Sequence, residues 1–444
     1  MNERRRSLLG MAMLGAMEPL FAMPAAPAAR PALDAELAAV VNDPALQLAS
    51  LSVLAIRAGQ PVYEGAFGRS FIGNGVLPDK LATPDTLYRI ASISKLMTTL
   101  GLMRLVEAGQ VDLDADVSGY LGFRLRNPHF PERPITLRSL LTHRSSLRDE
   151  AGYSWPLATS LRDVLLPGDP KTFSSRAGPG DYFTYCNLGW GVIGTAMERI
   201  TGERFDLLME RLLLQPLGIT AGYNPSLLPP AALAKLVTLY RKRSTGAPAA
   251  DTEVWNPQGP WIAQVDDYSA RPPSPPAGIA TYVPGANATP FSPTGGLRIS
   301  ARDMGVVMRM LMNGGVHEGR RLFERATLER MFARQWTHNG SNGDSLGGFF
   351  NAWGLGNAQF PDRPGMQLVE GGGFEAVGHL GDAYGLRSVF AFDPVRANGL
   401  VVLAGGVSSD PEQNKGRHSA LARYEERILT ALYRHAIAGQ RAPT

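Results

Sequence analysis

The stretch Tyr88-Arg89-Ile90-Ala91-Ser92-Ile93-Ser94-Lys95 decides how the rest of the chain is interpreted, because its first serine stands three residues before a lysine. From Leu96 onward apolar residues recur at helical spacing, and Gly109 predicts the end of a helix that begins at Ser92. Residues i and i+3 share a helix face, so the Ser92 hydroxyl and the Lys95 amine can meet. A serine needs an adjacent base to act as a nucleophile, and a buried lysine can supply one.

The lysine is an uncommon choice in this chain, because only six of the 44 basic residues are lysines. Lysine can lose its proton when it is desolvated, whereas arginine effectively cannot, so a retained lysine suggests proton transfer. The alternative interpretation is an ordinary helix N-cap at Ser92 followed by a solvated Lys95. The apolar neighbours Ile90, Ala91 and Ile93 favour burial of the pair.

A second motif is Tyr185-Cys186-Asn187, the only place among thirteen tyrosines where an asparagine follows two residues later. A phenol titrates near about 10, so Tyr185 serves as a base only where positive charge stabilises the phenolate, and Lys95 can provide that charge. Tyr185 can also relay a proton to a leaving group, and the Asn187 amide can bind a substrate carbonyl. A packed tyrosine followed by an asparagine N-cap is the alternative.

The third motif is His379-Leu380-Gly381, just ahead of a predicted strand at residues 385–393. His-x-Gly is a weak pattern, because two other matches occur in turn-like sequence rich in glycine and asparagine. At this position Gly381 would allow a ligand to approach the strand backbone closely, and the Asp382 N–H is a candidate oxyanion donor.

In this order the three motifs resemble those of the class C β-lactamase-related serine hydrolases (CubicO-type), within the superfamily of β-lactamases and penicillin-binding proteins. Leu140-Leu141-Thr142-His143 and Pro293-Thr294-Gly295-Gly296-Leu297 are also typical of that family, and the resemblance extends over residues 33–437. It implies an α/β (α+β) fold of the β-lactamase/transpeptidase type, in which an antiparallel sheet is flanked by helices and a mainly helical lobe is inserted.

The resemblance further implies an acyl-enzyme mechanism that needs no metal or other cofactor. Ser92 would attack a carbonyl group, Lys95 and Tyr185 would manage the protons as the other catalytic residues, and water would release the acyl group. The backbone N–H groups of Ser92 and Asp382 would hold the oxyanion. The implied substrate-binding residues are Asn187, His379, Gly381 and Asp382.

The third motif departs from the Lys-Thr-Gly of lactamases, whose cation and hydroxyl grip a substrate carboxylate. His379 is neutral or only partly charged near pH 7, and Leu380 has no hydroxyl, which argues against efficient β-lactam hydrolysis. We therefore expect an esterase or a D-amino-acid or DD-peptidase-like enzyme acting on a small ester, amide or peptidoglycan-like substrate. The alternatives are a β-lactamase, or a catalytically weak peptidoglycan-binding or sensor protein on the same scaffold.

The sequence predicts one domain over residues 30–437, followed by a short tail at 438–444. A hairpin at 49–68 and strands at 385–393 and 399–405 should complete one antiparallel sheet, in a sheet lobe of about 33–110 and 340–437. Residues 111–339 should form the helical lobe beside a cleft, and 420–437 a closing helix. The proline-rich stretch 224–293 either walls the cleft or is a solvated loop.

Residues 1–29 resemble an export signal, with a basic head, an apolar middle and an Ala/Pro-rich end. Arg5-Arg6-Ser7-Leu8-Leu9 suggests the twin-arginine type, so we expect a periplasmic or secreted protein with no stable membrane insertion after signal removal. A membrane anchor or a plain amphipathic helix is the alternative. Cys186 is the only cysteine, which excludes an internal disulfide and a lipidated N-terminal cysteine. The sequence has no basic block with interleaved aromatic residues, so we expect no nucleic acid partner.

A rival nucleophile is Ser345, because Gly343-Asp344-Ser345-Leu346-Gly347 matches the Gly-x-Ser-x-Gly elbow. That elbow requires a strand before the serine and a helix after it. Here a turn-like sequence precedes the motif and Gly348-Phe349-Phe350 follows as a strand-like run, so we expect Ser345 to be dispensable.

Overall fold

Strands from both ends of the chain form one large sheet in a computed structural model that describes residues 30–243 and 254–438. The predicted export signal lies outside the described residues. The strands are β1 (Leu48–Arg57), β2 (Gln60–Phe71), β3 (Lys80–Leu81), β4 (Leu87–Arg89), β5 (Leu239–Lys242), β6 (Trp261–Val265), β7 (Arg298–Ser300), β8 (Val316–His317), β9 (Arg320–Arg321), β10 (Trp336–Thr337), β11 (Ala352–Trp353), β12 (Ala358–Phe360), β13 (Ala376–Ala383), β14 (Leu386–Asp393) and β15 (Asn398–Val407).

The sheet runs in the order β10-β11-β12-β13-β14-β15-β1-β2-β3, and every neighbouring pair in this path is antiparallel. The predicted hairpin is confirmed as β1 and β2, and the two predicted C-terminal strands are confirmed as β14 and β15. From the middle of the chain, β5 pairs parallel with β15, and β6 pairs with β5. Strands β4 and β7 form a separate small ladder.

Strand β13 is the one central strand that the sequence analysis missed, because it placed His379 ahead of a strand rather than inside one. Glycine weakens strand propensity, and Gly378 and Gly381 interrupt the pattern that marks a strand. The structure uses the missing side chain of Gly381 for packing. A Cβ atom there would lie 2.5 Å from the carbonyl oxygen of Ile90 and 2.2 Å from the Ser388 hydroxyl.

Helices cover both faces of the sheet. Helices α1 and α11 pack on one face, while α2 and α9 pack on the other. The helices are α1 (Pro31–Val41), α2 (Ile93–Glu107), α3 (Val117–Leu121), α4 (Leu137–Leu141), α5 (Leu161–Leu165), α6 (Leu188–Thr201), α7 (Phe205–Met209), α8 (Pro230–Leu233), α9 (Ala301–Met312), α10 (Arg325–Phe332) and α11 (Arg423–Leu432). Across the described ranges, none of these helices is long and apolar enough to span a bilayer.

Alternation along the central strands divides the apolar core into two layers. Leu54 and Ile56 of β1 face the α2 side, whereas Leu51 and Val53 face α1 and α11. Both faces of β1 are buried up to Ile56, so the strand contributes to both layers at once. A fully buried leucine or valine contributes about 1.5–3 kcal/mol, which makes this central strand a main source of stability.

The proline-rich stretch divides between the two roles that its sequence allowed. It contains α8, β5 and β6, so it is less loop-like than predicted. Residues 271–277 are mostly exposed, whereas Thr289, Pro290 and Ser292 line the main cavity of the molecule. The end of the stretch therefore walls the cleft, and its middle forms a surface loop.

Candidate active site

A cavity of about 880 Å³ lies between β13 and the helical lobe. Five of the seven predicted site residues line it: Ser92, Tyr185, Asn187, Gly381 and Asp382. Lys95 lies behind Ser92 on α2, and the ring of His379 lies behind Tyr185. The fold thus brings together three motifs that are separated in the chain by more than 280 residues, counted from Ser92 to Gly381.

Ser92 lies at the junction between β4 and α2, on a tight turn. The preceding Ala91 has φ 48°, a left-handed conformation that costs a residue with a Cβ atom of order 1–3 kcal/mol. The turn is held by the contact of Ile90 and Ala91 with Gly381. In the described part of the chain, the Ser92 N–H donates to no protein acceptor, so it is free to bind an oxygen atom in the cavity.

Lys95 is fully buried and makes three hydrogen bonds to neutral groups. Its Nζ donates to Ser92 Oγ at 3.0 Å, to Asn187 Oδ1 at 2.7 Å and to the Thr294 carbonyl oxygen at 3.1 Å. Burial lowers the pKa of Lys95 to about 7, although the charge of Asp149 opposes the shift. Near neutral pH a large fraction of the amine is therefore uncharged and able to accept the Ser92 proton.

Tyr185 lies over the same pair of side chains. The Lys95 Nζ is 4.8 Å from the centre of its ring, and the Ser92 side chain acts on its hydroxyl. Burial raises the pKa of Tyr185 above its ordinary value, and the negative charge of Asp149 adds to the shift. The phenol therefore stays protonated, so the geometry favours Lys95 as the base and Tyr185 as a proton relay.

Asp149 holds this centre together and was missed by the sequence analysis, because no motif marks it. Its carboxylate accepts hydrogen bonds from the Asn187 N–H, the Asn187 Nδ2 and the Leu188 N–H, at 2.8–2.9 Å, and from the Cys186 thiol at 3.3 Å. Three of these donors lie at the N-terminus of α6, where free N–H groups and the helix dipole favour an anion. Because Nδ2 faces Asp149, the Asn187 oxygen is directed towards Lys95.

Thr294 is a second contributor that sequence reasoning left without a role. Its hydroxyl donates to Asn187 Oδ1 at 2.7 Å, and its carbonyl accepts from Lys95. The Asn187 oxygen is thus occupied by protein donors, and its first task is to position Lys95 rather than to bind a substrate carbonyl. The family-like sequence Pro293-Thr294-Gly295-Gly296-Leu297 was the only signal of this role.

His379 was predicted to bind substrate, but its ring is fully buried and lies outside the cavity lining. It packs edge-on against Trp353, with ring centres 5.3 Å apart, and its Nδ1 lies 2.6 Å from the Leu380 carbonyl oxygen. Burial, reinforced by Lys95, lowers the pKa of His379 to about 3. A neutral histidine behind Tyr185 supports the packing of the site and offers no cation to a substrate.

Gly381 and Asp382 border the cavity on β13. The close neighbours of Gly381 are the Ser388 hydroxyl, the Ile90 carbonyl oxygen and the Ala91 side chain, and its approach to a ligand stays a prediction. The Asp382 side chain forms an ion pair with Arg387, so only its backbone is a candidate oxyanion donor.

Two further histidine and serine positions behave as structural residues. The His143 Nδ1 accepts the Cys186 N–H at 2.9 Å. Ser345 lies in a turn, with neither a strand before it nor a helix after it, and its hydroxyl accepts the Gly348 N–H at 3.2 Å. The context of a nucleophile elbow is therefore absent around Ser345. Among the residues described, no three His, Cys, Asp or Glu side chains are grouped as metal ligands.

Comparison with known proteins gives matches over most of the chain. The family model described as beta-lactamase matches residues 34–424. The D-alanyl-D-alanine-carboxypeptidase/endopeptidase AmpH of Escherichia coli K12 is 31% identical over 185 residues, which are 40% of this chain and 46% of AmpH. Esterase EstB of Burkholderia gladioli is 34% identical over 150 residues, which are 30% of this chain and 38% of EstB. The matched region therefore spans less than half the length of these curated relatives.

Solved structures extend the likeness in fold. The structure of EstCE1, described as a hydrolase with promiscuous acyltransferase activity, superposes with a TM-score of 0.62 at 23% identity. The superposition covers 90% of this chain and 98% of EstCE1. The implied fold, an antiparallel sheet flanked by helices with an inserted helical lobe, is confirmed.

Proposed function

The chain belongs to the β-lactamase family, and from this membership we propose that it is a serine hydrolase that cleaves an ester or amide bond through an acyl-Ser92 intermediate. One observation carries the proposal. The buried Lys95 amine lies 3.0 Å from the Ser92 hydroxyl and is held there by neutral partners alone. A serine beside a base of this kind is the arrangement that nucleophilic catalysis requires.

In the acylation step, Ser92 Oγ attacks the substrate carbonyl carbon while its proton passes to the neutral Lys95 amine. A bond forms between Oγ and that carbon, and the electron pair of the C=O double bond moves to oxygen. The N–H groups of Ser92 and Asp382 donate to this oxyanion, and one such donor contributes about 2.7–4 kcal/mol where it has been measured. The bond to the leaving group then breaks, and the leaving atom takes the Lys95 proton through the Tyr185 hydroxyl.

In the deacylation step, water takes the place of the leaving group. The water gives a proton to Lys95 through the Tyr185 hydroxyl, its oxygen bonds to the acyl carbon, and the bond to Ser92 Oγ then breaks as Oγ takes the proton back from Lys95. The carboxylic acid product leaves. Lys95 and Tyr185 therefore serve both half-reactions, as microscopic reversibility demands.

The substrate class that best suits the site is a small ester, an amide or a peptidoglycan-like peptide, rather than a β-lactam. Leu380 and the neutral His379 provide neither the hydroxyl nor the cation that lactamases present at this strand. The names of EstB and AmpH, an esterase and a peptidase, are consistent with this choice. We further propose that residues 1–29 direct export and that the enzyme acts in the periplasm or outside the cell.

Labelling with a fluorophosphonate tests the nucleophile directly. The Ser92 oxygen should displace fluoride, and peptide mapping of the intact adduct should place the phosphonyl group on Ser92. Ser92→Ala should abolish labelling, whereas Ser345→Ala should leave it unchanged. An adduct on Ser345, or no adduct on Ser92, would refute the proposed mechanism. Turnover of an aryl ester, a D-alanyl-D-alanine peptide and a penicillin would then rank the three substrate classes.

A further inference from the structure

We propose that Arg89 forms a binding subsite for a carboxylate group of the substrate, on the wall of the cavity that contains Ser92. The inference rests on the proposed hydrolase function, whose substrate it narrows to molecules that carry an anion near the scissile bond. No motif in the sequence pointed to this role, because Arg89 was only part of the phrase that leads to Ser92.

The two arginines that line the cavity differ in their partners. Arg387 is buried between the carboxylates of Asp382 and Glu425, and both ion pairs lie within 3.1 Å. Arg89 also lines the cavity, but within the described ranges no carboxylate forms an ion pair with it. Asp266 attracts Arg89 from a distance, but Arg89 lacks the directly paired carboxylate that buried charges normally have.

Arg89 is nevertheless held in a fixed position. Its Nε donates to the Gly295 carbonyl oxygen at 3.1 Å, and one Nη lies 3.4 Å from the Ser292 hydroxyl. The guanidinium group lies over the ring of Tyr384, 5.0 Å from its centre. The other Nη donates to no acceptor in the described part of the chain, so one edge of the fork is available to a ligand.

Beside Arg89, two guanidinium groups share one carboxylate. Arg298, close to Arg89, takes both carboxylate oxygens of Asp266, at 2.7 and 3.1 Å. Burial, together with repulsion by Arg298, lowers the pKa of Arg89, although an arginine keeps its proton at neutral pH. Asp266 thus has to balance two guanidinium groups, and a substrate carboxylate would supply the second counter-charge.

Among the described residues, the carboxylates that line the cavity already have other partners, and Glu412 pairs with Lys415. Asp382 and Glu425 are held by Arg387, and Asp149 is held by the N-terminus of α6. Tyr153, the neighbour that lies within the influence of both Arg89 and Asp149, has a raised pKa and stays neutral. Charge-assisted bonds to guanidinium are among the stronger polar contacts, so the free edge of Arg89 should discriminate well between a carboxylate and a neutral isostere.

Two matched pairs of esters measure this discrimination in turnover. In the first pair the leaving group carries the test group: 3-carboxyphenyl acetate against 3-carbamoylphenyl acetate. In the second pair the acyl group carries it: mono-4-nitrophenyl terephthalate against 4-nitrophenyl 4-carbamoylbenzoate. Each kcat/KM is divided by the rate of hydroxide hydrolysis to remove intrinsic reactivity. We expect a preference of about tenfold to hundredfold for the carboxylate in at least one pair.

Substitutions assign that preference to a residue. Arg89→Gln should reduce it to about one, even if the loss of the Gly295 contact slows both members of a pair. Arg89→Lys should restore part of it, because the charge is kept and the fork is lost. Arg363→Gln is the matched control, since Arg363 is exposed and outside the cavity lining, and it should leave the preference unchanged. Equal rates within both pairs, or a preference that survives in Arg89→Gln, would overturn the proposal.

Binding without turnover separates this subsite from the proposed catalysis. Ligand-observed NMR on Ser92→Ala should show benzoate binding at least about tenfold more tightly than benzamide, and the double variant with Arg89→Gln should lose this difference. If no ester is hydrolysed but benzoate selectivity depends on Arg89, the hydrolase function fails and the subsite stands. If esters are hydrolysed but neither benzoate nor the charged esters are preferred, the subsite fails and the hydrolase stands.

Discussion

Two buried cations at the cavity, Lys95 and Arg387, occupy opposite electrostatic environments. Lys95 contacts a hydroxyl, an amide oxygen and a backbone carbonyl, and burial lowers its pKa to about 7. Arg387 lies between two carboxylates, and the charges of Glu425 and Asp382 raise its pKa. Both side chains are almost completely inaccessible, so burial alone does not decide what a cation does.

The difference lies in whether the neighbours carry charge. Neutral oxygens stabilise the charge of an ammonium group less than carboxylates do, so burial of Lys95 can lower its pKa. Carboxylates stabilise the charge and fix the side chain, which makes the pair a structural tie between β13, β14 and α11. Substitutions that change or remove these charges test whether the neighbours decide the role of each cation.

The largest effect is expected from Lys95→Arg, which makes the reactive cation permanently charged. Because arginine cannot accept the Ser92 proton at neutral pH, kcat/KM for an aryl acetate should fall by at least about a thousandfold. Ser92→Ala provides the floor of the assay, and circular dichroism should show that both variants are folded. Retention of a tenth or more of the activity would show that Lys95 is not the base.

A large effect on folding is expected from Arg387→Met, which leaves Glu425 buried without its partner. Breaking a buried ion pair costs about 3–5 kcal/mol, so the midpoint of urea unfolding should fall clearly. Lys95→Met is the matched comparison, because it removes a buried cation that no described carboxylate contacts. Its unfolding midpoint should fall far less than that of Arg387→Met, and equal losses would contradict the distinction between the two environments.

The pH dependence of the reaction tests whether the uncharged Lys95 amine is the base. Only the neutral amine accepts the Ser92 proton, so kcat/KM should rise tenfold per pH unit and level off near pH 7. The lowered pKa also has a sign for stability, since the unfolded chain binds one more proton than the folded one between about pH 7 and pH 10. Stability relative to Lys95→Met should therefore increase with pH in that window, as measured by urea unfolding at several pH values.

The smallest effect is expected from Asp149, the carboxylate whose charge opposes the lowering of the Lys95 pKa. Asp149→Asn removes a charge that opposes the lowering of the Lys95 pKa, so the acid limb of kcat/KM should move to lower pH by about half a unit to one unit. The plateau should also fall, because the Asn187 amide loses its fixed orientation.

Asp116→Asn is the control for a purely structural loss. Asp116 caps α3 through the Ser118 N–H and is not among the charges that act on the Lys95 pKa. Asparagine can still cap the helix but loses the ion pair with Arg126, so stability should fall by at most about 1 kcal/mol and the limb should stay in place. If the acid limb of kcat/KM is the same in Asp149→Asn and in the unmodified protein, Asp149 acts only as a helix cap.

The parts of this site that could be predicted from sequence are those set by local geometry. The pairing of Ser92 with Lys95 follows from helical spacing, and the hairpin and final strands follow from alternation. Asp149 could not be predicted, because its partners lie almost forty residues away and the contact depends on how α6 meets the loop after α4.

His379 shows a different limit. Its motif was visible, but whether the ring points into the cavity or behind Tyr185 depends on the packing of Trp353 and Phe350, which come from another strand region. Nor could it be predicted that Arg89 forms no ion pair with a described carboxylate, since this depends on Asp266 pairing with Arg298 instead. Sequence patterns name the reacting groups, whereas the charges that tune them come from distant segments.

The reactivity of the Cys186 thiol can report how often the active-site region opens. It is 2% exposed, donates to Asp149 and lies between Tyr185 and Asn187 in the chain. A thiol reagent reaches it only when the centre of the site opens. The rate of modification in native buffer therefore reports the frequency of this local opening. Because the chain has no other cysteine, the signal comes from this one place, and a substrate or inhibitor that closes the cavity should slow it.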